Sequence, residues 1–320
     1  MNYDVFNGDA DGIISLTMLR RAEPLRAELV TGRKRDITLL ERVPAGEGDH
    51  VTVLDISMKS NAVPLRRILE AGAQVFYADH HNAGDIPDHP NLEVHINTAP
   101  EVCTAVLIDQ LQEGAYRAWT VAAAFGDNFP AMAHRLAVGH NLPLAMLDEL
   151  GTLINYNGYG GSVDDLLFHP AALYRETSAY DTPMAFLSQK ASIFSALQKG
   201  FRDDMASVSE AKVLDETKRG VVIGLADSAA SRRASGAYGN QLAQENPDRA
   251  HAILTAQETE EGPGYLVSIR APLSKRAGAD VLAMQFETGG GRAAAAGINH
   301  LKRSDLTSFI KAFQSAFLPQ

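Results

Sequence analysis

Short apolar runs recur through the first half of the chain, each closing on a polar or acidic residue, with amphipathic stretches between them. Tyr3 to Phe6, Val51 to Leu54, Gln74 to Ala78 and Leu92 to Ile96 are the length of strands rather than helices. Gly12 to Ala22 reads as a helix, apolar on one side and basic near its end. Ser60 to Ala71 reads as another, with Leu65, Ile68 and Leu69 on one face and Gly72 placed as a C-cap. The stretch from Ala105 to Gly139 reads as helical. Strands alternating with helices predict a parallel sheet covered on both faces.

Past Asn155 the pattern changes. Asn155 to Gly161 reads as a loop, and Met184 to Met205 as helical, with Phe186, Ile193, Phe194 and Leu197 apolar. A second strand and helix series follows. Gly220 to Ala226, Ala252 to Ala256 and Tyr265 to Arg270 read as strands, Ser235 to Glu245 and Ala279 to Gln285 as helices, and Asp305 to Phe317 as a closing amphipathic helix. The expected architecture is α/β. It consists of a parallel-sheet domain over 1–160, a helical linker over 161–209 and a smaller α/β domain over 210–320.

Composition narrows the class. The 320 residues fit about two domains, and 45% hydrophobic with 21% charged residues allow ordinary cores. Cys103 is the only cysteine, so an intrachain disulfide and a zinc-thiolate cluster are excluded, which favours a reducing, cytoplasmic location. Met1 to Asp9 has neither the basic start nor the apolar core of a signal peptide. No run approaches the roughly 18 apolar residues of a membrane span. A net charge of -10 is unlike that of proteins that coat long nucleic acid. Phosphate binding would therefore be local, which favours small or short anionic substrates.

The chemistry gathers at the ends of the apolar runs. Asp9 and Asp11 follow the first, Asp55 the second, Asp79-His80-His81 the third, and Asp127 follows an alanine-rich run. Taken singly, each has an ordinary reading: a tight turn for Asp9 and Asp11, a helix N-cap for Asp55 or Asp127, a surface position for His80 and His81. Together, carboxylates and imidazoles at the carboxyl ends of neighbouring parallel strands make a site for hard divalent cations. Asp9-Ala10-Asp11-Gly12 is read as a turn that points both carboxylates at one cluster.

Asp9-x-Asp11-Gly12, Asp55, Asp79-His80-His81 and Asp127 resemble the four motifs of the DHH phosphoesterase superfamily, the first in its RecJ-like form. Val267 to Arg270 and Gly289 to Gly297 resemble the two recognisable segments of the DHH-associated substrate-binding domain. The resemblance covers nearly the whole chain. It implies two Mn²⁺ ions, with Mg²⁺ or Co²⁺ able to substitute. Asp55 would bridge them, Asp11, His80 and Asp127 would complete one, and Asp9 would belong to the other. Asp79 would orient the histidines, His81 would face the scissile phosphate, and water activated by the ions would be the nucleophile. Val5 stands where many relatives have His, and Asn7 where the RecJ type has an acid, so the first ion is expected to bind weakly. Arg292 replaces a usual His in the glycine-rich segment.

On the substrate side, Gly289, Gly290 and Gly291 let backbone N–H groups approach a phosphate, with Arg270 and Arg292 as clamps. Ser231-Arg232-Arg233-Ala234-Ser235-Gly236 is either a phosphate contact at a helix start or a solvated cap. Arg33-Lys34-Arg35 reads as a solvated turn. His134 and His140 read as helix-surface residues, Asn155 and Asn157 are left open, and Tyr116, Trp119 and Phe125 fit core packing. The chain is expected to lack the extra domain that extends the groove of full-length RecJ proteins, which favours short substrates.

The function expected is a manganese-dependent phosphodiesterase that removes mononucleotides from short oligonucleotides. The alternatives are hydrolysis of a 3',5'-bisphosphate or dinucleotide, a RecJ-like single-strand exonuclease, and a degenerate, non-catalytic nucleotide-binding protein. The partners implied are a short oligonucleotide or small nucleotide, with a homodimer left open and neither a membrane nor a disulfide partner.

Overall fold

The computed structural model describes residues 1–208 and 211–317. The expected boundary at 209/210 and the last three residues of the 210–320 domain lie outside the described residues. The chain divides into two compact units, Met1–Lys199 and Gly200 onward.

The first unit runs β1 (Asn2–Phe6), α1 (Ala10–Ala22), β2 (Glu28–Val30), β3 (His50–Leu54), α2 (Ala62–Glu70), β4 (Gln74–Asp79) and β5 (Leu92–Ile96). Helices α3 (Thr104–Leu111), α4 (Arg117–Gly126), α5 (Pro130–Ala137), α6 (Leu144–Asn157), α7 (Pro170–Thr177), α8 (Pro183–Gln189) and α9 (Ala191–Val208) follow, the last continuing into the second unit. The five strands form an all-parallel sheet in the order β2-β1-β3-β4-β5. Alternation along the strands fills two cores. Tyr3, Val5, Val51, Val53, Val75 and Tyr77 pack with Leu65, Ile68 and Leu69 of α2 on one face. Phe6, Leu54 and Ala78 pack with Ile13, Ile14, Trp119 and Ile154 on the other. The expected doubly covered parallel sheet is therefore present.

Three details refine the sequence reading. The helical stretch from Ala105 to Gly139 is divided into three helices, broken where Glu113 and Asn128 adopt left-handed φ of 52° and 63°. Asn155 and Asn157 belong to the end of α6 rather than to a loop. Arg20, at the basic end of α1, turns inward: its Nε is 3.0 Å from Asp4 Oδ2 and its Nη2 is 2.8 Å from Thr52 Oγ1. This buried pair ties α1 to β1 and β3, and its satisfied hydrogen bonds make burial of both charges tolerable.

The second unit holds β6 (Lys212–Glu216), β7 (Gly220–Leu225), α10 (Ala229–Glu245), β8 (Ala250–Thr259), β9 (Gly262–Arg270), α11 (Ala279–Ala283), β10 (Gly289–Gly291), β11 (Ala295–Lys302) and α12 (Leu306–Ala316). Its six strands run in the order β10-β11-β9-β8-β7-β6, and β7 with β8 is the parallel pair. Val267, Ile269, Ile298, Phe309 and Phe313 lie in its largest core. Gly289 to Gly291 form the edge strand β10, paired with β11. No helix among the described residues is long and apolar enough to cross a membrane.

Candidate metal centre

Asp9 and Asp11 lie at the start of α1, and the helix separates them. Asp9 is the N-cap, its Oδ1 accepting from the Gly12 N–H at 3.0 Å. Asp11, one position into the first turn, faces elsewhere. Its two oxygens accept from the N–H groups of Thr104 and Ala105, each at 2.7 Å. Helix α3 has no side-chain cap of its own, so Asp11 supplies one from across the fold. The turn expected at Asp9 to Gly12 is thus a helix start, and the two carboxylates do not share one target.

Asp55 follows β3 with φ of 60°, a left-handed conformation that an L-residue adopts at a cost and that Asp tolerates better than most. Its Oδ1 accepts from Thr104 Oγ1 at 3.2 Å. His80 follows β4 and offers Nδ1 to the Val102 carbonyl at 2.6 Å, which leaves Nε2 to accept. That Nε2 lies 3.3 Å from Asp55 Oδ1, 3.6 Å from Asp127 Oδ2 and 3.9 Å from Asp11 Oδ2. Asp127 is the C-cap of α4, not an N-cap. A carboxylate there meets the negative pole of the helix, an unfavourable place without a nearby cation. It sits beside Asp11 because Gly126 lets α4 approach Ala10: a Cβ at Gly126 would lie 2.5 Å from the Ala10 methyl.

Ligand atoms of Asp11, His80 and Asp127 lie within 4.8 Å of one another, as do those of Asp55, His80 and His81. Metal–oxygen bonds of about 2.1 Å put neighbouring donors about 3 Å apart. The gaps around His80 Nε2 are slightly wider, so a small contraction suits one ion. Oxygen with imidazole nitrogen is the donor set of Mn²⁺-type ions. Asp79 was expected to orient both histidines. It holds only His81, whose Nδ1 is 2.7 Å from Asp79 Oδ1, while the Val102 carbonyl holds His80.

Electrostatics mark the cluster as strained without a cation. Burial, then the charges of Asp11, Asp9, Asp127 and Asp79, push Asp55 well above the ordinary carboxylate range. Burial also raises Asp11, with Asp127 and Asp9 adding to it against His80. Asp9 goes the other way. Burial opposes its ionisation, but the Lys34 ammonium outweighs that and holds it low.

Lys34 is the residue of the cluster that the sequence reading missed. Its side chain is 21% exposed, not a solvated turn. Its Nζ lies 2.6 Å from Asp9 Oδ2, 2.8 Å from Asn155 Oδ1 and 3.5 Å from Asp127 Oδ1. Burial works against its charge, but Asp9, Tyr159 and Asp127 prevail and raise its pKa. The one available signal was a lysine two residues after Gly32 in a chain whose acids needed a counter-charge. Asn155 joins this group, whereas Asn157 is spent on both backbone groups of Phe168.

In the second unit, Arg270 ends β9 with its guanidinium on Asn240 Oδ1 at 2.6 Å and on the Gly236 carbonyl at 3.2 Å. Gly289 is required by packing, since a Cβ would lie 1.8 Å from the Ala283 carbonyl oxygen. Gly291 has φ of 140°, and its Cβ would lie 2.5 Å from Ala296 Cα, whereas Gly290 meets open space. Arg292 is exposed and its backbone closes the hairpin with Ala295. Arg232 and Arg233, at the start of α10, pair with Asp227 and Asp204.

No family model and no curated protein matches the sequence. Solved structures do. A DHH-domain protein described as a member of a family of ribosomal proteins superposes over 98% of this chain and 85% of its own, with a TM-score of 0.64 at 14% identity. The chain has the DHH-domain fold. Exonuclease RecJ bound to manganese shares the DHH fold at a TM-score of 0.57 and 17% identity, over 99% of this chain and 90% of RecJ. The pGpG-specific phosphodiesterase PggH from Vibrio cholerae does so at 0.56 and 16% identity, over 99% of each chain. In this chain the DHH tripeptide is Asp79-His80-His81, at the carboxyl end of β4.

Proposed function

We propose that this protein is a divalent-metal-dependent phosphodiesterase, working with Mn²⁺, that releases mononucleotides from short oligonucleotides. The observation that carries the reading is the convergence of Asp11, Asp55, His80 and Asp127 on one buried cluster at the carboxyl edge of a parallel sheet. A divalent cation held there acidifies a water and offsets phosphate charge. Those four residues would be its ligands, with the Val102 carbonyl fixing the tautomer of His80. Asp79 would hold the His81 ring so that its other nitrogen meets the phosphate. His81 is the most exposed imidazole of the cluster, at 36% of its side chain, as a substrate contact requires.

The second unit is proposed as the substrate-binding part, through Arg270, Gly289, Gly290, Gly291 and Arg292. Arg292 suits bidentate phosphate contact. The likeness to PggH over almost all of both chains keeps a linear dinucleotide within the substrate class. The proposal includes a cytoplasmic location, since Cys103 is buried and unpaired.

The test is a time course with Mn²⁺ on end-labelled RNA and DNA, comparing dinucleotides, pentanucleotides and strands about twenty nucleotides long. Rapid loss confined to the short oligomers is expected. Asp55→Ala should abolish it while circular dichroism stays unchanged. Processive degradation of the long strands would make the protein a RecJ-like exonuclease instead. Silence on every substrate, or full activity in Asp55→Ala, would sink the mechanism.

A further inference from the structure

Lys34 lies in a segment clamped onto the site by three glycines. A Cβ at Gly8 would lie 1.8 Å from the Gly32 carbonyl oxygen, one at Gly158 would lie 2.8 Å from the Gly8 oxygen, and one at Gly32 would lie 2.4 Å from Asp36 Oδ2. The Lys34 N–H donates to the Gly158 carbonyl at 2.9 Å, and its own carbonyl accepts from Asn7 Nδ2 at 3.3 Å. The backbone is thus fixed, and the side chain is delivered to Asp9, Asn155 and Asp127.

All three acceptors are oxygens, the donors that a hard divalent ion takes. Asp127 faces two ways: Oδ1 is 3.5 Å from the ammonium, and Oδ2 is on the side of the candidate ion position, 3.6 Å from His80 Nε2. A carboxylate between two adjacent cations has this arrangement. Both oxygens of Asp9 are engaged, Oδ1 by the Gly12 N–H and Oδ2 by Lys34. Val5 and Asn7, beside it in sequence, bring no charge. A second divalent ion at this place would have to sit beside the ammonium or expel it, and like charges this close repel strongly.

We infer that the Lys34 ammonium stands in for a second metal ion: the centre takes one divalent cation, and Lys34 supplies the neighbouring positive charge. The inference rests on the proposed metal-dependent function. Asp9 then serves as a positioning residue for Lys34 rather than as a ligand.

The experiment is Mn²⁺ titration by calorimetry, with paramagnetic resonance on the loaded protein. The wild-type chain should bind one Mn²⁺ and give an uncoupled signal. Lys34→Ala should bind a second, weaker Mn²⁺ with exchange coupling, and Asp9→Asn added to it should remove that ion again. Lys34→Met, neutral and of similar length, is the second variant should Lys34→Ala fail to fold. Two coupled ions in the wild-type chain would overturn the inference and leave the phosphodiesterase reading standing. So would a folded Lys34→Ala still at one ion with unchanged affinity. Absence of any Mn²⁺ binding would remove both.

Discussion

At the scale of single residues, the site separates groups that hold charge from groups that hold geometry. Asp79 is of the second kind. It belongs to neither set of candidate ligands, and its one hydrogen bond in the site goes to His81. Asp79→Asn keeps the shape of the side chain and removes the charge that fixes the imidazole. Turnover should fall by about 10–100-fold, as for other outer-shell partners, while the Mn²⁺ affinity measured by calorimetry stays the same. A parallel loss of affinity would show that Asp79 contacts the ion. Asp11 is both a candidate ligand and the cap of α3, so a substitution there would confound loss of the ion with loss of the helix start.

At the scale of elements, β8 carries a titratable group in its core. His251 is 1% exposed, and its Nδ1 has no partner among the described residues. Burial, followed by the charge of Arg249, lowers its pKa from 6.5 to about 4. A group that resists protonation when folded contributes stability fully above the unfolded value. That contribution is lost as pH falls from 6.5 towards 4. Calorimetric melting should show the wild-type protein losing stability relative to His251→Gln across that window. Parallel curves would mean that His251 is solvated. The interior strands β1, β3 and β4 were legible as apolar runs because each is buried by neighbours on both sides, and the edge strand β5 because its run from Leu92 to Ile96 keeps alternate apolar residues. The other edge strands, β2, β6 and β10, were not. They are short or exposed, and β10 is made only of glycine, whose role appears once the Ala283 carbonyl is seen against Gly289. The candidate acidic ligands could be picked out in the sequence because Asp9, Asp55 and Asp127 follow a strand or a helix and Asp11 lies in the first turn of α1. Lys34 could not, because its acceptors lie 25, 93 and 121 residues away in sequence.

At the scale of the molecule, the two units have separate cores, and the candidate metal centre belongs wholly to the first. Mn²⁺ should therefore slow hydrogen exchange at Thr104 and Ala105, whose amides donate to Asp11, and leave β8 and β9 unchanged. Equal slowing in both units would mean that the ion acts elsewhere. The wide spacing of the site also has a consequence for synthesis. Asp11 meets its amides 93 and 94 residues downstream, and Lys34 meets Asn155 at a separation of 121. A growing chain that has released β1, α1 and β3 carries Asp9, Asp11 and Asp55 but lacks the histidines and Asp127. The ion therefore cannot template the early sheet. It can lock only a nearly finished first unit, so metal retention by a nascent chain stalled at different lengths would report when that unit closes.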